Sequence, residues 1–425
     1  MKLLVFLLSF LFLQSASADI KIQSIASNNN YLYAKIDTLP IVDINISFNK
    51  GSINDGNYPG LTNLMLNSIM ASNVNEQKIM SFFENVGAKL SYSVDKETLS
   101  ITIRSLSNLE QVTYLVSIIN QAIWTNSINE NIFELEKAKI VRKIKESRKL
   151  PGAILESSIS EQLYLNTDLS HQVIGNEKSI NSISSKMILD HRNTIFTMND
   201  FQINVVGDIE ALGVKKVISI ISSNLPHSSK STENYYQIKN TNYHHEHDST
   251  QSHLAFIIPS VVRNNPDYHN LLVANYIFGG GGFGSWLMKE IREKRGLSYS
   301  VYSYLGSYKN HGYMRISLQT KNDNLKLTKK IIFNQIERLK KFDVEESEIE
   351  LVKKSILRNF EMRTDTNRKL LNLLSAVNYR NLPLNYFQDY KNKLMSVNKE
   401  SIKKALDSSI DFKKISVISV GKSVE

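Results

Sequence analysis

One order of sequence signals occurs twice along this chain. An apolar strand ends at Gly207 in the first half, and a second apolar strand ends at Gly421, 214 residues further on. The strands that open the two halves, at 44–48 and 254–258, are offset by a similar distance. A single long repeat of this kind predicts two copies of one domain, since a solenoid needs at least three short repeats.

Each half mixes short strands with amphipathic helices. Alternating apolar residues predict a strand at 99–103, and the polar segment 226–252, rich in Ser, Asn and His, reads as a connection between the halves. The sequence therefore predicts a duplicated α+β unit, with one domain at 19–225 and another at 253–425. The predicted helices lie at 61–70, 109–123 and 129–147, the last closed by Pro151, and at 269–277, 326–341 and 345–362.

Composition excludes several classes of protein. The 425 residues contain no cysteine, which excludes disulfide scaffolds, thiol nucleophiles, Cys-ligated zinc and iron–sulfur clusters. Lys and Arg number 51 against 41 Asp and Glu, a formal net charge of +10. The basic residues are scattered and form no stripe interleaved with aromatic residues, so we expect no nucleic-acid partner.

The first 18 residues read as a targeting segment. Lys2 precedes an apolar run at 3–13, and Ala16-Ser17-Ala18 forms a small-x-small cleavage site. The run is short for a membrane span, so it predicts a cleaved secretory signal at 1–18 and a mature protein that starts at Asp19. We expect a periplasmic protein without an integral membrane segment after signal removal; the alternative is an uncleaved N-terminal anchor.

Two local motifs suggest ligand chemistry but match no complete pattern. The glycine run at 278–284 is not followed by Gly-Lys-Ser/Thr, as a P-loop requires, and it follows a predicted helix, where a dinucleotide fingerprint follows a strand. Gly279, Gly280, Gly281 and Gly282 instead favour a tight turn with close backbone packing.

The second motif is a histidine cluster at 244–247. A metallopeptidase motif that ended at Glu246-His247 would need histidine at position 243, which is Tyr243. His244 and His247 remain an alternative metal pair, but this segment lacks the helix that would set their geometry. A solvated cluster is the favoured interpretation.

The glycine run belongs to a longer resemblance. Residues 278–302, which include FGGGGFGSWL and IREKRGLSYSVY, resemble the C-terminal half of insulinase-family (pitrilysin-type) peptidases. GNEKSI at 175–180 and VVGD at 205–208 are similar to segments of that family's N-terminal half. The resemblance implies two homologous α+β units, each an antiparallel sheet covered by helices on one side.

The same resemblance locates a zinc site that has lost its ligands. The family pattern GLxHFLEHM aligns with residues 60–68, which places Asn63 and Asn67 at the histidine ligands and Leu66 at the general base. The distant glutamate ligand aligns with Lys143. An ammonium opposes a bound cation, so the resemblance implies no zinc in this chain. Glu136, an acidic residue beside that shell in active relatives, is retained.

The family's other catalytic pair is retained. Arg292 and Tyr299 align with an Arg and a Tyr that bind the substrate and stabilise the oxyanion. In bacterial heterodimers, and in enzymes of the mitochondrial processing peptidase type, one subunit carries H-x-x-E-H and the other carries only this pair. The resemblance implies a non-catalytic, substrate-binding subunit of a periplasmic zinc endopeptidase that acts on unfolded or short peptides, with zinc in its homologous partner. The alternative is a catalytically dead scaffold or peptide-binding module.

Overall fold

The computed structural model describes residues 22–25, 30–227 and 236–423, so the predicted signal peptide at 1–18 lies outside the described residues. The strands are β1 (Ile22–Ser24), β2 (Tyr31–Lys35), β3 (Ile41–Phe48), β4 (Asn73–Val74), β5 (Gln77–Lys78), β6 (Lys89–Val94), β7 (Leu99–Leu106), β8 (Phe201–Gly207), β9 (Asn242–Glu246), β10 (Gln251–Ser260), β11 (Val301–Ser307), β12 (Gly312–Lys321) and β13 (Ser416–Gly421). The α-helices are α1 (Leu61–Ala71), α2 (Ile79–Glu84), α3 (Leu109–Ile123), α4 (Glu130–Ser147), α5 (Pro151–Leu163), α6 (Glu177–Ser182), α7 (Ser185–Ile195), α8 (Ala211–Ser222), α9 (Tyr268–Asn275), α10 (Leu325–Lys341), α11 (Glu346–Glu361), α12 (Asn367–Tyr379), α13 (Tyr386–Met395) and α14 (Lys399–Ser409).

The N-terminal half is built on a six-stranded sheet in the order β1-β2-β8-β3-β7-β6. Strand β3 shows how the sequence pattern places the core: Ile44 and Ile46 alternate with polar residues and are fully buried. Their face packs in one apolar cluster with residues of α1, α3 and α8. The alternation correctly predicts a strand, but the expectation that it is half-buried was wrong: Asp43, Asn45 and Ser47 on its other face are buried as well.

The C-terminal half repeats that topology. Its five strands have the order β11-β12-β10-β13-β9, and each sheet contains one parallel pair, β2 with β8 and β9 with β13. The structure therefore confirms the fold class of two homologous α+β units. The reading of 226–252 as connection alone was wrong, because Asn242–Glu246 pairs with β13 as the edge strand of the second sheet.

The two halves exchange helices. Helix α5 belongs to the first half in sequence but packs on the second sheet, where Leu155 and Ile159 contact a cluster that includes Ile257 and Ile418. Helix α12 of the second half packs in return on β8, β3 and β2. Each sheet thus has helices on both faces and one parallel pair, so the expectation of an antiparallel sheet covered on one side was wrong. The second face is covered because each half receives a helix from the other. Pro151, predicted to end a helix, occupies the first turn of α5, where its missing N–H costs nothing.

The contact between α12 and the first sheet is polar. Asn378 Nδ2 donates to Asn204 Oδ1 at 3.0 Å, and Asn204 Nδ2 donates to Asn45 Oδ1 at 3.2 Å. Ser375 Oγ of α12 also donates to Asn45 Oδ1, at 3.2 Å. All three asparagines are buried, so their hydrogen bonds fix how α12 sits on the sheet.

Among the described residues, the structure contains no helix with the length and apolar character needed to cross a membrane.

Candidate functional site

The site begins with the start of helix α1. Gly60 has a φ of 94°, a left-handed conformation that favours glycine. The buried Asp55 carboxylate accepts hydrogen bonds from Gly60 N at 2.7 Å and from Thr62 N and Oγ1 at 2.8 and 2.6 Å. His191 Nε2 lies 2.8 Å from Thr62 Oγ1, and burial lowers the pKa of His191 to about 4. These contacts hold the first turn of α1 rigidly.

One face of α1 presents the three residues aligned with the lost zinc site. Asn67 Nδ2 donates to the Asn63 carbonyl at 2.7 Å and lies 3.3 Å from Asn63 Oδ1. Asn63 and Asn67 are half-buried, and Leu66 between them is 1% exposed. All three line a cavity of about 980 Å³. The structure therefore brings these predicted positions together, one helical turn apart, on the wall of a single cavity.

Helix α4 contributes another part of the cavity wall. Lys143 and Glu136 both line the cavity. Glu136 is buried and accepts a 2.6 Å hydrogen bond from Lys139 Nζ. Lys143 is exposed and has no ion-pair partner among the described residues. The cavity thus contains one unneutralised ammonium beside two carboxamides.

This set of side chains does not fit zinc. Zn²⁺ is bound by thiolates, imidazoles and carboxylates, whereas Asn63 and Asn67 offer neutral amides that already bond to each other. Lys143 adds a positive charge to the same cavity. Within the part of the chain that the structure describes, no three His, Cys, Asp or Glu side chains are grouped so that they could hold a metal ion.

A loop at 170–176 closes the cavity beside α1. A Cβ on Gly175, whose φ is 80°, would lie 2.1 Å from the Pro59 carbonyl oxygen, so the loop contacts the start of α1 directly. Lys96 Nζ donates to the carbonyls of Leu169, at 3.1 Å, and His171. Burial lowers the pKa of Lys96 to about 8. The segments at 60–68 and 175–180 that carry the family resemblance therefore meet at this cavity.

An open sheet edge borders the same cavity. Strand β6 ends its sheet, and Tyr92, Ser93 and Val94 of that strand line the cavity. Its outer side presents backbone N–H and C=O groups that no described strand pairs. An extended peptide can add to such an edge through main-chain hydrogen bonds.

Arg292 and Tyr299 lie outside the cavity of Asn63 and Lys143. Arg292 belongs to a π-helical segment, Met288–Glu293, and its guanidinium lies 4.7 Å from the centre of the Phe283 ring. Tyr299 precedes β11 and is 90% exposed. The structure therefore leaves Tyr299 on an open surface of the C-terminal half, while Arg292 is half-buried beside Phe283.

The glycine run makes the close approach that its composition predicts. A π-helical segment, Tyr276–Gly280, continues α9 into the run, and a 3₁₀ turn follows at Gly282–Gly284. A Cβ on Gly279 would lie 2.5 Å from Ser303 Oγ, and Gly282 has a φ of 64°. A Cβ added to Gly280 would lie 2.7 Å from Asn275 Nδ2, and one added to Gly281 would lie 2.7 Å from the Tyr276 carbonyl oxygen.

The histidine cluster lies on strand β9 and its end. His244 Nδ1 lies 3.0 Å from Ser419 Oγ of β13, and His244 Nε2 lies 3.5 Å from Glu246. Glu246 in turn accepts from Ser423 N at 3.1 Å. The contacts of His244 and Glu246 thus tie the chain end to the sheet edge. Sequence reasoning missed Asp55 and His191: Asp55 is buried in a turn just before α1, and His191 contacts Thr62 from 129 residues further along the chain.

Comparison with known proteins identifies the family. The model for the insulinase family (peptidase family M16) matches residues 32–177, and the model for the peptidase M16 inactive domain matches residues 182–356. The chain therefore belongs to the insulinase family, peptidase family M16.

Particular relatives share most of its length. The chain is similar to the non-peptidase homolog YmxG of Helicobacter pylori, with 24% identity over 383 residues, or 87% of each chain. It is also similar to the uncharacterized zinc protease YmxG of Bacillus subtilis, with 22% identity, covering 69% of this chain and 71% of that protein. A solved structure of a peptidase M16 inactive domain from Pseudomonas fluorescens superposes with a TM-score of 0.87 at 25% identity, covering 96% of this chain and 98% of that one.

Proposed function

We propose that this chain is the non-catalytic, substrate-binding subunit of a two-subunit zinc endopeptidase. The observation that carries the proposal is the cavity in which two amides, a leucine and a lysine stand at the positions of the family's zinc site. The name of the Helicobacter pylori relative, non-peptidase homolog, supports the same reading. A homologous partner that carries H-x-x-E-H would supply the metal and the attacking water.

Arg292 and Tyr299 are the residues that this chain would contribute to the reaction. Tyr299 is 90% exposed, so its hydroxyl is available to a second molecule. A phenol can donate a hydrogen bond to the oxyanion that develops on a peptide carbonyl, and a guanidinium can donate to neighbouring carbonyls. Zinc bound in the partner would polarise that carbonyl, while these two side chains act from the opposite subunit.

The open edge of β6 gives the peptide a place to bind. A substrate that adds as a strand must be extended, so unfolded or short peptides fit and folded proteins do not. The edge borders the cavity of Asn63 and Lys143, where the chain has no catalytic metal ligands. A peptide bound there is held without being cleaved, as expected of a substrate-binding subunit.

The first experiment tests whether this chain needs a zinc-binding partner subunit for peptidase activity. The purified chain should contain no stoichiometric zinc and cleave no peptide, and activity should appear with a co-expressed homologue that carries H-x-x-E-H. Tyr299→Phe in that complex should lower kcat/KM by roughly ten- to a thousandfold, as loss of an oxyanion donor does. Tyr302→Phe is the matched control, since Tyr302 is 48% exposed on the adjoining strand.

Two results would refute the proposal in different ways. Stoichiometric zinc in the isolated chain, or peptidase activity without a partner, would overturn the non-catalytic assignment. A stable complex in which Tyr299→Phe and Tyr302→Phe have equal rates would remove the catalytic pair and favour the scaffold function.

The proposed location is the periplasm, on the strength of the signal-like residues 1–18. Mass spectrometry of the protein recovered from a periplasmic fraction should find a mature N-terminus at Asp19. Recovery in the membrane fraction with Met1 or Lys2 as the first residue would contradict this location.

A further inference from the structure

A second, smaller cavity lies where the C-terminal half meets helix α12. Its volume is about 190 Å³, and its lining includes Arg263 after β10, Lys309 in the β11–β12 turn, and Arg380 at the end of α12. None of the described residues that line it is an aspartate or a glutamate. The cavity therefore brings the guanidiniums of Arg263 and Arg380 to one lining in which no described residue is a carboxylate.

Arg263 is held in place by aromatic neighbours. Its Nε and Nη2 groups donate to the Tyr386 hydroxyl at 3.2 and 2.9 Å. Its guanidinium also lies 5.6 Å from the centre of the Tyr268 ring. Its Nη1 group has no hydrogen-bond acceptor among the described residues, so this rigid guanidinium retains free donors.

Arg380 carries a buried N–H donor that is not hydrogen-bonded to any described residue. Its Nε group is buried and has no hydrogen-bond acceptor among the described residues. Burial, followed by the neighbouring Arg263 guanidinium, lowers the pKa of Arg380. The C-terminal end of α12 attracts a cation but offers Nε no acceptor in this geometry.

A neighbouring carboxylate, Glu97, already accepts hydrogen bonds from other groups. It accepts a 2.9 Å hydrogen bond from Lys309 N and another from the Tyr379 hydroxyl. Glu97 therefore serves to join the β6–β7 turn to the second half. It does not line the cavity, and although its charge partly offsets that of Arg380, both half-buried guanidiniums keep N–H donors without an acceptor in the described structure.

We propose that this cavity binds a tetrahedral oxyanion of the phosphate class between Arg263 and Arg380. A guanidinium presents N–H donors in a planar fork that matches phosphate oxygens, and each desolvated cation gains most from an anionic acceptor. A cavity of about 190 Å³ has room for such a group. The anion would also join α12, which packs on the first sheet, to a loop of the second sheet.

Thermal unfolding of the full chain tests this site with inorganic phosphate as the probe. Phosphate should raise Tm saturably above the effect of chloride at equal ionic strength, because a ligand that binds only the folded state stabilises it. Sulfate should act similarly, and acetate should not. Isothermal titration should give one phosphate site per chain.

Two variants locate the effect. Arg380→Gln should weaken phosphate binding at least tenfold, and circular dichroism should show that it is folded without phosphate. Arg142→Gln is the control: it changes the net charge equally, and Arg142 is exposed and lines neither cavity. Arg263→Lys keeps the positive charge but removes the planar set of N–H donors, so it should also weaken phosphate binding.

The proposal fails if phosphate stabilises the wild type no more than chloride does. It also fails if Arg380→Gln and Arg142→Gln bind phosphate equally well, or if acetate and phosphate give the same shift. None of these measurements depends on a partner subunit or on peptidase activity.

Discussion

A zinc site should be recoverable in the cavity of Asn63 and Lys143 by substituting the ligand positions alone. The change is Asn63→His, Asn67→His and Lys143→Glu, with the buried Leu66 left in place. Asn63 and Asn67 already lie one turn apart, with side-chain atoms 3.3 Å from each other. Two imidazoles at that spacing and one carboxylate on the facing helix form a three-ligand zinc site with an open fourth position.

The charge at position 143 determines how strongly the zinc affinity changes. An ammonium about 5 Å from a divalent cation costs about 2 kcal/mol in water and about 7 kcal/mol at an effective dielectric constant of about 20. Each 1.36 kcal/mol is a tenfold change in affinity. In the background with two histidines, the variant that keeps Lys143 should bind zinc at least about tenfold more weakly than the variant with Lys143→Gln.

Competition with a chromophoric zinc chelator measures these affinities, and atomic emission gives the stoichiometry. The wild-type chain and the variant with the two histidine substitutions and Lys143 intact are the controls, and circular dichroism checks that each variant is folded. Zinc should bind most tightly with Glu at position 143, less tightly with Gln, and most weakly with Lys. Equal zinc affinity with Lys and Gln, or a folded Lys143→Glu variant that binds no zinc, would show that this cavity is not the family's metal site.

Three further predictions concern stability. His191 has a pKa of about 4 in the folded chain against about 6.5 when exposed, so the unfolded chain binds more protons between these values and stability falls as pH is lowered through this window. Burial raises the pKa of Asp55, which makes the folded chain more stable as the pH falls and so opposes the effect of His191. The test is therefore a comparison: Tm should fall less on acidification in His191→Gln than in the wild type. Asn204→Leu should cost about 1–3 kcal/mol of unfolding free energy in urea titrations, because it removes one hydrogen bond from each of the buried side chains of Asn378 and Asn45. Gly279→Ala should cost about 1–3 kcal/mol, because its Cβ would lie 2.5 Å from Ser303 Oγ.

Each stability prediction has a matched control. Asn372→Leu, on the exposed side of α12, and Gly284→Ala, where an added Cβ meets no atom within 4 Å, should change stability little. A loss of stability as large in these controls as in Asn204→Leu or Gly279→Ala would contradict the stated causes. Parallel pH profiles for wild type and His191→Gln would show that His191 does not titrate between pH 4 and 6.5.

Local pattern in the sequence was sufficient for much of the fold. The spacing of apolar residues marked α3 at Leu109–Ile123 and the alternation in β3, because each depends on neighbours a few positions away. The same holds for Asn63 and Asn67, which any helix places on one face. The duplication was visible because both halves repeat one order of such local signals.

The sequence by itself therefore determined the family resemblance, the two-unit α+β fold and the identity of the residues that stand where a metal would be bound. Only the tertiary structure decided that α5 and α12 exchange sheets, that Asn242–Glu246 becomes a strand, and that Arg263 and Arg380 share a cavity. These features join segments far apart along the chain. The local spacing of residues does not predict them, because these side chains become buried and come close to one another only when the two halves pack together.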